Sequence, residues 1–294
     1  ALGDSRTPFL FLVLSACMNI VLDLLFIRVF HWGCGGAAFA TILSQGVSGV
    51  LSFLYMRRHY RILKIQPDEK VWHFNTAKKL LGMGIPMGLQ FSITAIGMMV
   101  MQSSINALGS DYSSAFTAAS RLKVFLMAPI NALGSGASTF VGQNYGARKP
   151  ERIRQGVVQT VLCGIVYTVI SGLIMILLGR RLTLIFLANG EGVAQILGHS
   201  AYYLRCMGYA WWLLAFLNII RMSTQGLGYS DLAVMGGIME MAARSFVCLF
   251  LAPRFGYDAI VWADQSAWLM ASVYIIPVFV YCMKKVRNRL AKSS

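Results

Sequence analysis

Eight long apolar stretches are the feature that most restricts what this chain can fold into. We predict spans at 8–29, 35–56, 80–106, 115–142, 154–178, 196–221, 232–251 and 258–282. About 20 predominantly apolar residues in a helix cross the hydrocarbon core of a bilayer. Glycine and proline cluster at the joints between the stretches, where they end helices. The pattern predicts an all-α membrane protein with eight transmembrane helices.

The number and positions of the charged residues indicate that the chain is embedded in a bilayer and does not bind nucleic acid. Only 13% of the residues are charged, against about 25% in a typical soluble domain. The formal net charge of +15 is typical of nucleic-acid binders, but the basic residues lie in short connections between apolar stretches. The six cysteines form no CxxC pair and the four histidines form no metal-ligand cluster. We therefore predict no nucleic-acid partner, no resident metal and no cofactor.

The distribution of lysine and arginine predicts the orientation. One set of connections and ends holds 18 of the 26 basic residues, Arg221 among them, the opposite set holds 4, and 4 lie within spans. Cytoplasmic loops carry the excess of lysine and arginine. We predict a protein of the inner (plasma) membrane with both ends of this chain in the cytoplasm.

An internal repeat predicts how the spans are grouped. The segment "ALGDSRTPFLFLVL" at the start resembles "GLGYSDLAVMGGIM", about 225 residues later. The repeat implies a unit of six helices, of which spans three to eight form one complete copy. The predicted domains are 1–56, the end of an earlier unit; 57–79, a cytoplasmic linker; 80–283, a six-helix lobe; and 284–294, a basic tail. The linker either joins two halves of a transporter or only anchors the topology.

Several segments resemble the bacterial multidrug and toxic compound extrusion (MATE) exporters. They are "NIVLDLLFI" from Asn19, "GGAAFATILSQ" from Gly35, "GIPMGLQ" from Gly84 and "APINALGSGASTFVGQNYGARKPER" from Ala128. The resemblance covers helices five to twelve of the family's twelve, without the first four. It implies a monomeric two-lobe antiporter, not an enzyme. Such a protein exports cationic or amphipathic organic compounds in exchange for Na⁺ or H⁺ by alternating access.

A carboxylate in the first span is the main candidate for binding the coupling ion. Asn19 and Asp23 are four residues apart and share one helix face. Thr41 lies in the second span at about the same depth as Asp23, counted from the same side by the helical rise, so the two side chains are expected to be neighbours. Their oxygens suit a hard cation, and desolvation of a carboxylate favours a proton. The resemblance implies a cation site at these positions, whereas a structural role or an interfacial position for Asp23 is the alternative.

Each of the other polar residues within the spans has two possible roles. Glu240 and Arg244 are four residues apart, and this spacing predicts that they form either a structural ion pair or a gate. Asp264 is either a cation or substrate contact or an exposed residue at the outer end, and Lys123 is expected to snorkel to the interface. Methionine suits surfaces that bind varied partners, although packing is the alternative. The candidates for the substrate cavity are Gln90, Met98, Met101, Gln102 and Asn106.

Two other functions compete with antiport. A flippase for lipid-linked oligosaccharides or polysaccharides has a related fold, but it requires a strongly cationic cavity. A membrane-embedded transferase requires a nucleophile and a base at membrane depth, and the histidines lie near loops or span ends. The segment "GIPMGLQFSITAIGMM" contains no acid, which argues against ion coupling in the second lobe.

Overall fold

The computed structural model describes residues 6–60, 71, 73–186 and 192–291, with side chains to residue 289. The predicted linker residues 61–70 and 72 and tail residues 292–294 lie outside these ranges. All regular structure in the described ranges is helical. The helices are α1 (Arg6–Leu24), α2 (Gly33–His59), α3 (Phe74–Asn106), α4 (Ser110–Gly146), α5 (Pro150–Thr183), α6 (Val193–Gly226), α7 (Ser230–Phe246), α8 (Ala252–Phe255), α9 (Tyr257–Val261) and α10 (Ala263–Ala291). Leu25–Val29 and Val247–Leu251 are π-helical turns that continue α1 and α7.

The eight predicted spans are confirmed, but most of them are longer than predicted. Within the described part of the chain, eight helical stretches are long and apolar enough to cross a membrane. The third begins at Phe74 rather than 80, and the fourth covers Ser110–Gly146 rather than 115–142. The prediction ended each span where polar residues begin. A helix continues beyond the hydrocarbon core, because its polar end residues are stable in the headgroup region.

The eighth span begins later than predicted, whereas the third and fourth begin earlier. It begins at Ala263, and the short helices α8 and α9 precede it. Gly256, between them, has φ 59° and ψ −137°, a conformation that glycine adopts readily and that ends a helix. Asp264 therefore lies in the first turn of α10, rather than a turn and a half inside the span.

The chain divides into two compact units, residues 1–74 and 75–294. The first unit is an antiparallel hairpin of α1 and α2. Ser48 Oγ donates to the carbonyl oxygen of Phe11 at 2.8 Å, and Phe26 stacks on Trp32 at a ring distance of 5.1 Å. A Cβ at Gly36 would lie 2.9 Å from Cβ of Phe26. The hairpin therefore closes tightly at the end where its two helices are joined.

The second unit is a helix bundle with α6 at its centre. Tyr203, Leu204, Met207 and Trp211 of α6 are completely buried, and α6 packs against α4, α5 and α10. Many large apolar side chains point outward instead. Phe125, for example, is 74% exposed, as expected for a helix surface that faces lipid.

Small residues allow α5 and α6 to approach closely. A Cβ at Gly208 would lie 2.7 Å from Cγ1 of Ile176 and 2.8 Å from the carbonyl oxygen of Gly172. Helix pairs in membranes commonly pack on small residues in this way.

We expect Gly208→Ala to lower the free energy of unfolding by about 1–3 kcal/mol, because the added methyl group meets backbone that cannot move aside. Gly198, in the same helix, has nothing within 4 Å of its Cβ position. Gly198→Ala is the matched control and should be neutral or slightly stabilising. Thermal unfolding in detergent measures both variants, and equal melting temperatures would contradict the close packing.

Candidate functional site

The first candidate site lies on the α1–α2 hairpin. Asn19 Nδ2 of α1 donates to Thr41 Oγ1 of α2 at 3.3 Å. Thr41 Oγ1 in turn donates to the carbonyl oxygen of Ala37 at 2.9 Å. The expected neighbour of Thr41 was Asp23, but the side chain that contacts it is Asn19, one turn earlier in α1. The difference arises because α2 begins at Gly33 rather than at 35, which places Thr41 deeper in its helix. The two side chains meet because antiparallel helices joined by a short turn bring equal depths together.

Asp23 lies one turn beyond Asn19, towards the connection with α2. The side chain is half-buried. Its Oδ1 atom is shielded from solvent and has no hydrogen-bond partner among the described residues. An ionised oxygen held away from both water and donors is costly. Asp23 Oδ1 is therefore a buried acceptor that no described donor satisfies.

A polar groove on the hairpin leads to the Asn19–Thr41 contact. Its volume is about 440 Å³, and its polar lining comes from hydroxyl and amide side chains: Ser15, Asn19, Thr41, Ser44, Gln45, Ser48 and Ser52. The serines and the glutamine were missed in the sequence. Thr41, Ser44, Ser48 and Ser52 are spaced three or four residues apart, the period of one helix face, and this signal could have found them.

The second candidate site is a cluster buried in the second unit, formed by Lys123, Tyr203, Arg244 and Asp264. Asp264 has no exposed surface. Its Oδ2 atom accepts from Lys123 Nζ at 2.5 Å and from the Tyr203 hydroxyl at 2.8 Å. Its Oδ1 atom accepts from Arg244 Nη2 at 2.9 Å and Nε at 3.1 Å. Donors from α4, α6 and α7 thus converge on one carboxylate of α10, which we call the Asp264 cluster.

The expectations for Lys123 and for an exposed Asp264 are wrong. Lys123 is 8% exposed. Its Nζ atom binds Asp264 and lies 5.6 Å from the centre of the Trp268 ring. It does not snorkel because a carboxylate within the bundle neutralises it at that depth. Charged residues within spans usually pair in this way, but the sequence does not show which helices are neighbours.

The predicted ion pair between Glu240 and Arg244 is also wrong. Glu240 Oε1 binds Arg221 Nη1 of α6 at 2.5 Å, whereas Arg244 binds Asp264. The reason is that α7 packs against both α6 and α10, and each of its charged side chains meets a partner of opposite charge there. Arg221 is 8% exposed, so its assignment to a cytoplasmic connection is wrong as well.

The buried charges of the second unit do not balance. Among the described residues, three buried side chains are basic, Lys123, Arg221 and Arg244, and two are acidic, Glu240 and Asp264. Arg244 Nη1 and Arg221 Nε are buried without a hydrogen-bond partner in the described structure. An environment that is net cationic, with its carboxylates already bound, does not suit a bare cation.

Two of the predicted cavity residues are inside the bundle instead. Met101 has no exposed surface and belongs to the hydrophobic core. Gln90 is 3% exposed, and its Oε1 accepts from Gln225 Nε2 at 2.7 Å. Neither can line an open cavity in this conformation. Their burial follows from packing, since residues 90, 97, 101 and 105 of α3 are the buried ones and repeat with a helical period.

The other three candidates are partly or fully accessible. Met98 is half-buried and packs against the core. Gln102 Nε2 donates to Asn106 Oδ1 at 2.9 Å. The same oxygen accepts from the Ser113 hydroxyl of α4 at 2.8 Å. These amides therefore tie the end of α3 to the start of α4.

A family model describes more than half of the chain. The MatE model matches residues 86–250. The chain belongs to the MatE family. A probable multidrug resistance protein of Bacillus subtilis, YpnP, is 34% identical over 275 residues, covering 92% of this chain and 56% of that protein. An FAD transporter of Shewanella oneidensis is 30% identical over 165 residues, covering 53% of this chain and 35% of the transporter.

The fold comparison agrees with the family. A crystal structure of a MATE protein in complex with MaL6 superposes with a TM-score of 0.85 at 21% identity, covering 99% of this chain and 64% of that one. The predicted resemblance and fold class are confirmed, and this MatE chain is a multi-pass membrane protein of a transporter family rather than an enzyme. The chain spans just over half the length of YpnP.

Proposed function

We propose that this protein is a secondary antiporter of the plasma membrane. It exports small cationic or amphipathic organic compounds, as a monomer, in exchange for Na⁺ or H⁺. The observation that carries the proposal is the unpartnered Oδ1 atom of Asp23, next to the Asn19–Thr41 contact. The family and the multidrug relative support the class of substrate.

The coupling ion binds at Asp23 rather than at Asp264. A charged side chain in a span costs roughly 3 kcal/mol or more unless it is compensated. Asp264 is compensated by two cations and a hydroxyl. Asp23 has no such partner among the described residues. A sodium ion or a proton would neutralise Asp23, and it would gain oxygen ligands or acceptors from Asn19 and Thr41.

The backbone beside Asp23 is suited to change when the ion binds. A π-helical turn, Leu25–Val29, begins two residues after Asp23. Its backbone bond from Phe30 N to Leu25 O is 3.1 Å. Such turns are rare and occur frequently at functional sites. The backbone hydrogen bonds of this turn can change their register. When an ion neutralises Asp23, the change in charge therefore occurs next to a segment of α1 that can rearrange.

The orientation follows from the basic residues of the connections. Without Arg221, which is buried, 17 basic residues remain on one side against 4 on the other. This asymmetry supports a cytoplasmic location for the connections between α2 and α3, α4 and α5, and α6 and α7, and for both chain ends.

A second candidate function is transport of an anionic compound such as a lipid-linked diphosphate. The observation that favours it is the excess of one buried basic residue in the second unit. The similarity to an FAD transporter is consistent with it. Antiport of cationic compounds remains the better-supported proposal, because most of the buried positive charge is already neutralised by Glu240 and Asp264.

Gradient-driven efflux from proteoliposomes tests the proposed function. Efflux of a fluorescent organic cation should accelerate when Na⁺ or H⁺ is imposed as an inward gradient, and FAD should not be transported. We expect Thr41→Ala to raise the half-saturating ion concentration about three- to tenfold, since one oxygen ligand is worth about 1 kcal/mol. Efflux that ignores both gradients would contradict coupled antiport.

Thr139→Ala is the matched control for Thr41→Ala. Thr139 is also exposed on a span, and its hydroxyl donates to the carbonyl oxygen four residues earlier, Ser135 O, at 3.1 Å. The same local hydrogen bond is therefore lost in both variants. An equal effect of the two substitutions would show that the hydroxyl of Thr41 acts only on its own helix.

A further inference from the structure

A groove on the second unit combines a basic rim with an apolar floor. It lies between the start of α5 and the end of α10 and has a volume of about 340 Å³. The rim carries Arg154, Lys284 and Arg287, and the floor is formed by Val158, Val280 and Met283. We call it the α5–α10 groove.

The rim of the groove has excess positive charge that the described residues do not neutralise. Its three basic side chains are exposed, and Glu151 is the acid that also lines the groove. No ion pair joins these four residues to another described residue. The nearby Lys285 is different, because its Nζ atom lies over the rings of Tyr229 and Tyr281 at 5.4 and 5.9 Å. The rim is therefore available to a negatively charged group.

The position of the floor indicates what that group is attached to. Arg154 lies in the second turn of the fifth span, and Val158 is one turn deeper, about 6 Å along the helix. The face continues with Leu162, Val166 and Ile170, which are 57%, 61% and 55% exposed. A ligand that fits the whole groove has an anionic head at the level of the rim and an apolar chain along this face.

We propose that the α5–α10 groove binds an anionic phospholipid of the phosphatidylglycerol class. The phosphate lies against Arg154, Lys284 and Arg287, and one acyl chain lies over Val158 and Val280 and along the exposed face of α5. Basic pockets between transmembrane helices bind anionic lipid headgroups in this way. A free phosphate would contact only the basic rim, whereas the acyl chain of a lipid also contacts the apolar floor. The groove therefore favours the lipid.

Lipid binding to the purified full chain tests this proposal without any transport measurement. Native mass spectrometry in detergent should show phosphatidylglycerol bound more tightly than phosphatidylcholine. We expect the triple variant Arg154→Gln, Lys284→Gln and Arg287→Gln to weaken phosphatidylglycerol binding about tenfold or more. The control triple variant Arg180→Gln, Arg181→Gln and Arg254→Gln removes the same charge elsewhere on the unit and should bind as the wild type does.

A second variant tests the floor. Val280 is 46% exposed, and Val280→Trp fills the groove without changing its charge, so it should also weaken phosphatidylglycerol binding. Inorganic phosphate should compete poorly with the lipid. Equal binding of the two lipids, equal losses in the two triple variants, or displacement of the lipid by phosphate at similar concentrations would each overturn the proposal.

Discussion

Asp23→Asn is expected to abolish ion-coupled export. Asparagine has nearly the same shape as aspartate, but it cannot change its charge when it binds Na⁺ or a proton. An interaction with a charged group is worth about 1.5–3 kcal/mol, which corresponds to about a 10- to 100-fold loss of ion affinity and of coupled transport. Gradient-driven efflux from proteoliposomes measures the loss, and the melting temperature of the variant should stay at or above that of the wild type.

The control for Asp23→Asn is Asp231→Asn. Asp231 is exposed in the first turn of α7, so its substitution removes one carboxylate without touching the hairpin. Coupled efflux should be unchanged in this variant. If the Asp23→Asn variant shows the same efflux as the wild type over a full range of Na⁺ concentrations and pH values, Asp23 is not the coupling group.

Asp264→Asn is expected to have the opposite profile, a large loss of stability. The substitution leaves Lys123 and Arg244 buried without their counter-ion. Removing one partner of a buried ion pair typically costs about 3–5 kcal/mol. We expect a sharp fall in the yield of folded protein and in the melting temperature measured in detergent.

Two further variants separate charge imbalance from a local packing effect. Asp111→Asn removes an exposed carboxylate from the first turn of α4 and should change stability by less than about 0.5 kcal/mol. Adding Lys123→Met to Asp264→Asn should recover part of the loss, because one of the two unpaired cations is then gone. A melting temperature for Asp264→Asn equal to that of Asp111→Asn would contradict the structural role of the Asp264 cluster.

The hairpin geometry could be predicted because it depends on local information. A short connection makes α1 and α2 antiparallel. The helical rise of 1.5 Å per residue, counted from a predicted start of α2 at 35, set Thr41 level with Asp23, whereas Thr41 contacts Asn19. The helix ends were less predictable. Gly256 ends α8, and the π-helical turns depend on backbone geometry that no short motif in this chain specifies.

The partners of the buried charges could not be predicted, since pairing depends on which helices are neighbours. Glu240 and Arg244 are close in sequence, so a direct pair was the local expectation. In the folded bundle, Glu240 pairs with Arg221 and Arg244 pairs with Asp264. The burial of Met101 could not be predicted for the same reason. A methionine stripe has the same sequence pattern whether it faces a cavity or a core.

The most direct test of the account is the reactivity of Asp23 towards dicyclohexylcarbodiimide, an apolar reagent that modifies protonated carboxyl groups. Peptide mass spectrometry of the purified protein reads out each acid separately. Modification of Asp23 should fall as Na⁺ or pH is raised. Asp264 and Glu240 should stay unmodified, because they are buried and basic side chains cover their oxygens. Modification of Asp23 that is indifferent to both Na⁺ and pH, or equal modification of Asp264, would contradict the claim that Asp23 receives the coupling ion.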